Sequence, residues 1–186
     1  MRLNFIRHGM TDGNRMKKYI GITDELLCTD GINQLKEHIY PECSYLFTSP
    51  MKRCIQTAEI IYPDMNYTVC DDFRECDFGR FENKNYIELS GDAYYQKWID
   101  SNGTIPFPDG ESVENFKERC ISAFEKCIRS VLKYESVSFI IHGGTIMSVL
   151  EKYAFPKGSY YDFSIANAEC YVTEFDGTKI KILEKI

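Results

Sequence analysis

Leu3-Asn4-Phe5-Ile6-Arg7-His8-Gly9 is a short, mostly apolar run that ends in a cation, an imidazole and a glycine. The run reads as a β-strand over Leu3–Arg7. The glycine turns the chain away at once, so Arg7 and His8 stand at the strand's carboxyl end. Open α/β folds keep their active sites at that edge. An arginine beside a histidine there points to a phosphate. The guanidinium can clamp oxygens in a fork, and the imidazole can attack phosphorus or handle a proton. Ile140-Ile141-His142-Gly143-Gly144 repeats the pattern far along the chain, so two of the three histidines share one local context.

The segments around these two strands alternate between strand and helix signals. Asp12 to Asp30 reads as a loop, with a turn at Tyr19-Ile20-Gly21. A helix is predicted from about Gly31 to Tyr40, capped by Thr29-Asp30 and closed by Pro41. Ser44–Thr48 is a second strand. Ser49 as N-cap and Pro50 as first helical residue then predict a helix that carries Arg53, Thr57 and Ala58 and ends near Tyr62-Pro63. Tyr67–Cys70 is a third strand, Asp71 to Asn85 is irregular, and Ile87 to Ile99 reads as helical. Ser112 caps the clearest helix, in which Val113, Phe116, Cys120, Phe124, Cys127 and Val131 recur at spacings of three and four. Val137–Ile141 is a buried strand, Gly143-Gly144 leads into a helix through Leu150, and Glu169–Phe175 and Thr178–Leu183 form a hairpin about Asp176-Gly177. This order implies an α/β fold of three layers, α/β/α, with a mostly parallel central sheet. The 186 residues form one domain, 1–186, with a lid or insertion at about 71–110.

Composition narrows the partners. With 44% hydrophobic and 14% aromatic residues the chain can bury a full core. Its net charge of −6, from 22 basic and 28 acidic residues, argues against nucleic acid and against a membrane surface. An anion site must then be built from a few local cations. No secretory signal or spanning segment is visible, which gives a cytoplasmic reading. The eight cysteines show no C-x-x-C pairing and no zinc spacing, so they read as reduced, buried thiols and no metal is expected.

Phosphoryl transfer needs a nucleophile, cations on the phosphoryl oxygens and an acid for the leaving alkoxide. His8 is the candidate nucleophile. Arg7, Arg53 and His142 are candidates to hold the oxygens, and Gly143 lets the backbone approach an anion closely. Glu75 is the candidate general acid, with Asp71, Asp72, Asp77 and Glu82 competing nearby. Tyr19, Tyr94, Tyr95 and Trp98 are candidates for a pocket wall, although aromatics at that spacing usually belong to a core. Cys54 beside Arg53 could be a reactive thiol, but a small residue there more often faces packing.

Five motifs in register resemble the histidine phosphatase superfamily, the group that includes cofactor-dependent phosphoglycerate mutases. They are Arg7-His8-Gly9 with Thr11 and Asn14; Ser49-Pro50-x-x-Arg53 with Gln56-Thr57-Ala58; Arg74-Glu75-x-x-Phe78-Gly79 with Glu82; Pro108-x-Gly110-Glu111-Ser112; and His142-Gly143-Gly144. The resemblance implies a phosphoglycerate mutase-like fold and phosphorylation of His8. It implies phosphate binding by Arg7, Asn14, Arg53 and His142, a proton donated and recovered by Glu75, and no metal or organic cofactor. Gly21-x-Thr23-Asp24 with Leu27 and Gly31, and the Trp98–Ser112 region, are similar to the small bacterial phosphatases related to alpha-ribazole phosphatase. The expected activity is hydrolysis of a small phosphorylated metabolite such as an alpha-ribazole 5'-phosphate. The alternatives are phosphoglycerate mutase-type transfer, a phosphoprotein (phosphohistidine) phosphatase, and a non-catalytic phosphate-binding protein. Three residues depart from the family pattern: Met10 for Glu or Gln, Cys54 for Ala, and Asn83 for Gly. Met10 is expected to lie next to the pocket.

Overall fold

The computed structural model describes residues 1–186. Six strands form one sheet in the order β3-β2-β4-β1-β5-β6. They are β1 (Arg2–Arg7), β2 (Tyr45–Thr48), β3 (Thr68–Val69), β4 (Ser136–Ile141), β5 (Cys170–Phe175) and β6 (Ile180–Lys185). β1 to β4 run parallel, and the β5–β6 hairpin adds antiparallel to β1. Six α-helices accompany the sheet: α1 (Asp12–Arg15), α2 (Thr29–Glu37), α3 (Lys52–Ile61), α4 (Ala93–Asp100), α5 (Val113–Ser130) and α6 (Gly143–Tyr153). No helix is long and apolar enough to cross a membrane.

The period-two alternation of the central strands sorts the layers. Leu3 and Phe5 of β1, Phe47 of β2 and Val137, Phe139 and Ile141 of β4 enter one core, with α5 and α6. Ile6, Leu46 and Ile140 face the other way, against Cys54 and Ala58 of α3. Both faces are therefore covered, as the three-layer reading expects. In the first core, register sets Phe5 beside Phe139 and Phe139 beside Phe47. The rings stack at 5.4 and 5.3 Å. Each fully buried ring of this kind contributes roughly 1.5–3 kcal/mol.

The chain leaves β1 toward the face that carries α3 and leaves β4 toward the face that carries α6. That reversal opens a crevice between the carboxyl ends of β1 and β4, the usual ligand position in such sheets. Register pairs Arg7 with Ile141, which brings His8 and His142 to the same edge.

Several boundaries differ from the sequence reading. The loop over 12–30 contains the short helix α1, whose N-cap Thr11 forms a capping box with Asn14. α2 starts two residues before Gly31 and is capped by the Cys28 sulfur rather than by Thr29 or Asp30. α3 begins at Lys52, behind Met51, so neither Ser49 nor Pro50 has its predicted capping role. Lys52 N instead donates to Asp24 Oδ1 at 2.7 Å, so a carboxylate from a distant loop serves the helix end. The predicted helix over 87–99 is confined to α4, which Asp92 caps at 2.7 and 2.9 Å. The N-terminal part of that stretch forms turns. Asn83 has φ +59°, a left-handed conformation that asparagine tolerates better than most residues, which accounts for its standing in a glycine position.

Candidate active site

Strand ends and helix starts deliver the side chains. His8 is 3% exposed, and Arg53 and His142 are fully buried. The two imidazoles sit 5.1 Å apart, centroid to centroid, at 67°. His8 follows β1, and its amide donates to the Ile141 carbonyl at 3.1 Å, which locks it to the end of β4. Its Nδ1 lies 2.7 Å from the Gly9 carbonyl oxygen. A carbonyl only accepts, so Nδ1 carries the proton and the Nε2 lone pair is free. Burial and the neighbouring Arg53 and Arg7 push the His8 pKa well below its ordinary value. The ring is neutral and therefore competent as a nucleophile near neutrality.

His142 Nε2 is 2.8 Å from Ser49 Oγ, and the Cys54 sulfur lies 3.7 Å from the same nitrogen. Ser49 has thus given up the predicted helix cap to orient an imidazole 93 residues away. Burial, with Arg53, His8 and Arg7 behind it, keeps His142 neutral as well. Burial pushes the Cys54 thiol up to about 12, so it is a packing residue and not a reactive thiolate.

Arg53 is bound by backbone alone. Its Nη1 donates to the Thr23 carbonyl at 2.9 Å, and Nη2 donates to Gly21 at 3.0 Å and Ile20 at 3.4 Å. Leu27 N donates to Gln56 Oε1 at 2.7 Å, so α3 and the 20–27 loop are stitched together at several points. Arg7 Nη1 donates to the Ile165 carbonyl at 2.6 Å. The Nε of both arginines is buried without a partner. Neither guanidinium has an ion-pair partner. Two such groups with unpartnered donors suit an incoming anion, since an unsatisfied buried donor is otherwise costly.

Asn14 Oδ1 accepts from Thr11 N and from Asn167 Nδ2, both at 3.2 Å. Asn167 also donates to the His8 carbonyl at 3.1 Å. The Asn14 amide nitrogen is left to donate. Gly143 opens α6 against Arg7, whose Nε would be 3.4 Å from a Cβ there. Glu75 Oε1 accepts from Cys76 N at 3.0 Å. A Cβ on Gly144 would come within 2.8 Å of that carboxylate oxygen, so only glycine lets α6 and Glu75 approach this closely. Burial raises the Glu75 pKa, against the pull of the Cys76 amide, Arg53 and Arg7. Of the competing acids, Glu82 accepts from Gly21 N, Ile22 N and Thr23 Oγ1 at 2.8–2.9 Å and acts as a loop clasp.

A cavity of about 750 Å³ adjoins this cluster: Arg7, Glu75, Gly143 and Gly144 form part of its lining, whereas His8, Asn14, Arg53 and His142 are not among the lining residues. Of the four aromatic candidates, Tyr19 and Trp98 line it, while also packing against the core cluster around Phe81. Tyr94 and Tyr95 do not; they pack around Phe81. Met10 is also absent from the lining. Its backbone is pressed against Gly31, where a Cβ would meet the Met10 carbonyl oxygen at 2.2 Å. Tyr160, Tyr161 and Ile165 complete a wall that no motif announced.

The histidine phosphatase superfamily (branch 1) model matches residues 3–185. The chain belongs to the histidine phosphatase superfamily. It is an enzyme of the phosphatase kind. Its similarity to "Uncharacterized phosphatase PhoE" of Bacillus subtilis is 28% identity, over 95% of this chain and 90% of that protein. Its similarity to "Phosphoglycerate mutase-like protein 4" of Arabidopsis thaliana is 30% identity, over 94% and 80%. The fold is shared with alpha-ribazole phosphatase from Shigella flexneri, at a TM-score of 0.85 and 19% identity over 98% of this chain and 95% of that one.

Proposed function

We propose that the protein hydrolyses a small phosphomonoester through a phosphohistidine on His8. The observation that carries this reading is the His8 Nδ1–Gly9 contact at 2.7 Å, which leaves Nε2 unprotonated near Arg7 and Arg53, each with an unpartnered Nε. In the first step the Nε2 lone pair forms a bond to phosphorus and the ester P–O bond breaks. Arg7, Arg53, His142 and the Asn14 amide hold the phosphoryl oxygens, with Gly143 giving backbone access. Protonated Glu75 gives its proton to the departing alkoxide. In the second step the Glu75 carboxylate takes a proton from water as the water oxygen bonds to phosphorus. The P–N bond breaks, Nε2 recovers its lone pair, and phosphate leaves. Most of the rate comes from positioning and preorganised charge, and the chemistry calls for no metal. The fold shared with an alpha-ribazole phosphatase supports an alpha-ribazole 5'-phosphate-like ester as one candidate substrate.

Rapid quench with phosphorus-labelled ester tests the reading. An acid-labile, alkali-stable label on His8 that forms and decays in water at the rate of turnover is expected. A label that persists in water until a second hydroxyl acceptor is added would instead identify a mutase. Failure to label His8 during active turnover would overturn the mechanism.

The pH profile follows from the two shifts. His8 must be neutral to attack, and in the free protein its pKa lies below about 6.5, so the acid limb of kcat/KM falls below that value. Glu75 must be protonated to serve the leaving group, and its pKa is raised above 4.5, so it supplies the alkaline limb. Glu75→Gln removes that limb and lowers kcat/KM for alkyl phosphates. 4-Nitrophenyl phosphate, whose leaving group needs no proton, loses far less kcat/KM, while its kcat still falls through the water step that both esters share. Equal losses of kcat/KM on both esters would sink the acid assignment.

A further inference from the structure

The cavity is much larger than the phosphate site requires, and its chemistry is one-sided. Just over half of its lining residues are apolar. Tyr19, Phe78, Trp98, Phe107, Phe116 and Tyr160 all contribute to its wall. These rings are braced against one another: Phe78 and Phe107 meet edge to face at 5.0 Å, and Trp98 lies 5.2 Å from Phe107 and 6.0 Å from Tyr19. A volume near 750 Å³ is in the range of sites that enclose drug-sized ligands. A three-carbon acid would leave most of it unfilled.

Charge decides the rest. The lining contains two cations, Arg7 and Lys117. Arg7 belongs to the floor, where the phosphoryl group is held. Lys117 Nζ is 2.5 Å from Glu151 Oε2 and lies 4.4 Å from the centre of the Tyr160 ring. Its charge is therefore already neutralised. Glu114 and Glu118 are exposed on the same rim, one turn apart on α5, and add two negative charges there. A carboxylate on the substrate would meet no free cation and two like charges.

We infer that the preferred substrate is a phosphomonoester whose alcohol carries a planar aromatic group and no carboxylate. This rests on the phosphatase reading and narrows it: phosphoglycerates and phosphoserine are disfavoured by the wall and by the rim. Apolar area buried against the aromatic wall supplies the discrimination in one direction, and the unpaired carboxylate supplies it in the other.

The test compares primary alkyl esters, so that leaving-group chemistry is held nearly constant. 2-Phenylethyl phosphate and 2-(1-naphthyl)ethyl phosphate are measured against 3-phosphoglycerate and phosphoserine, with 4-nitrophenyl phosphate as the general assay. We expect kcat/KM for the aryl-bearing esters to exceed that for either acid by about a hundredfold or more, mostly in KM. The variant E114K/E118K should narrow the ratio of 2-phenylethyl phosphate to 3-phosphoglycerate by about tenfold or more. Equal or better turnover of either acid would overturn the inference while leaving the phosphatase reading intact. An unchanged ratio in the variant would remove the charge argument, and with it the inference. No turnover of any ester, 4-nitrophenyl phosphate included, would overturn both.

Discussion

Replacing His8 with alanine is expected to lower kcat for any phosphomonoester by on the order of 10⁴-fold or more, because the substitution removes the atom to which phosphorus bonds in the proposed mechanism. Binding should survive far better. Arg7, Arg53 and His142 remain around the crevice, so inhibition by inorganic phosphate should weaken by less than about tenfold. The pair of measurements separates a nucleophile from a phosphate ligand, since removal of a ligand would move kcat and phosphate affinity together. Stability supplies an independent check. The folded protein holds the His8 imidazole neutral, with its pKa pushed down by burial and by Arg53 and Arg7. Below about pH 6.5 the unfolded chain takes up a proton that the folded chain refuses, so wild-type stability falls as the pH drops through that window. His142 contributes in the same direction. His8→Ala should lose its share of this acid sensitivity, seen as a shallower fall of Tm between about pH 6.5 and 5. Wild-type turnover in the variant would end the mechanism. An unchanged acid slope would show that His8 does not resist protonation.

The second large effect is expected at Arg53. Arg53→Ala should reduce kcat/KM by about 10²–10³-fold, the usual cost of removing one preorganised donor from a developing anionic charge. It should also destabilise the protein. The guanidinium satisfies the carbonyls of Ile20, Gly21 and Thr23, and hydrogen bonds to a charged group contribute roughly 1.5–3 kcal/mol each. A loss on the order of 3 kcal/mol or more is expected, even after the loop relaxes. Arg53→Lys keeps the charge but cannot span three carbonyls with one ammonium, so it should recover part of the activity and little of the stability. Thermal shift with inorganic phosphate divides the two roles. Wild type should gain Tm with phosphate by mass action, whereas both variants should gain much less. Full phosphate stabilisation of the alanine variant would reduce Arg53 to a loop anchor.

Much of this site is legible in the order of residues. Arg7-His8-Gly9 and His142-Gly143-Gly144 each follow a buried strand, and a parallel sheet brings the carboxyl ends of such strands to one edge by necessity. Arg53 can be placed because it lies within the first turn of the helix after β2. Each of these inferences needs only local order plus the handedness of parallel connections. Expectations that depend on competition among neighbours fare worse. Ser49 has the composition of an N-cap, yet the buried His142 ring offers it a hydrogen bond that the helix end does not need once Asp24 supplies Lys52 N. Met10 sits one residue from Gly9, yet close packing of its backbone on Gly31 keeps it out of the cavity.

The amino-acid sequence by itself determined the layered α/β fold and which side chains stand at the edge of the sheet, since alternation along strands and glycines after them are properties of contiguous residues. Tertiary structure alone decided the protonation pattern and the shape of the cavity. Both histidines stay neutral because they are buried with two guanidiniums from separate segments beside them. The wall joins Tyr19, Trp98, Phe116 and Tyr160, residues far apart in the chain that meet only when α4, α5 and the turn over 160–163 are brought together by the fold. Burial and the cancelling of Lys117 by Glu151 are sums over such distant neighbours, and no run of sequence contains them.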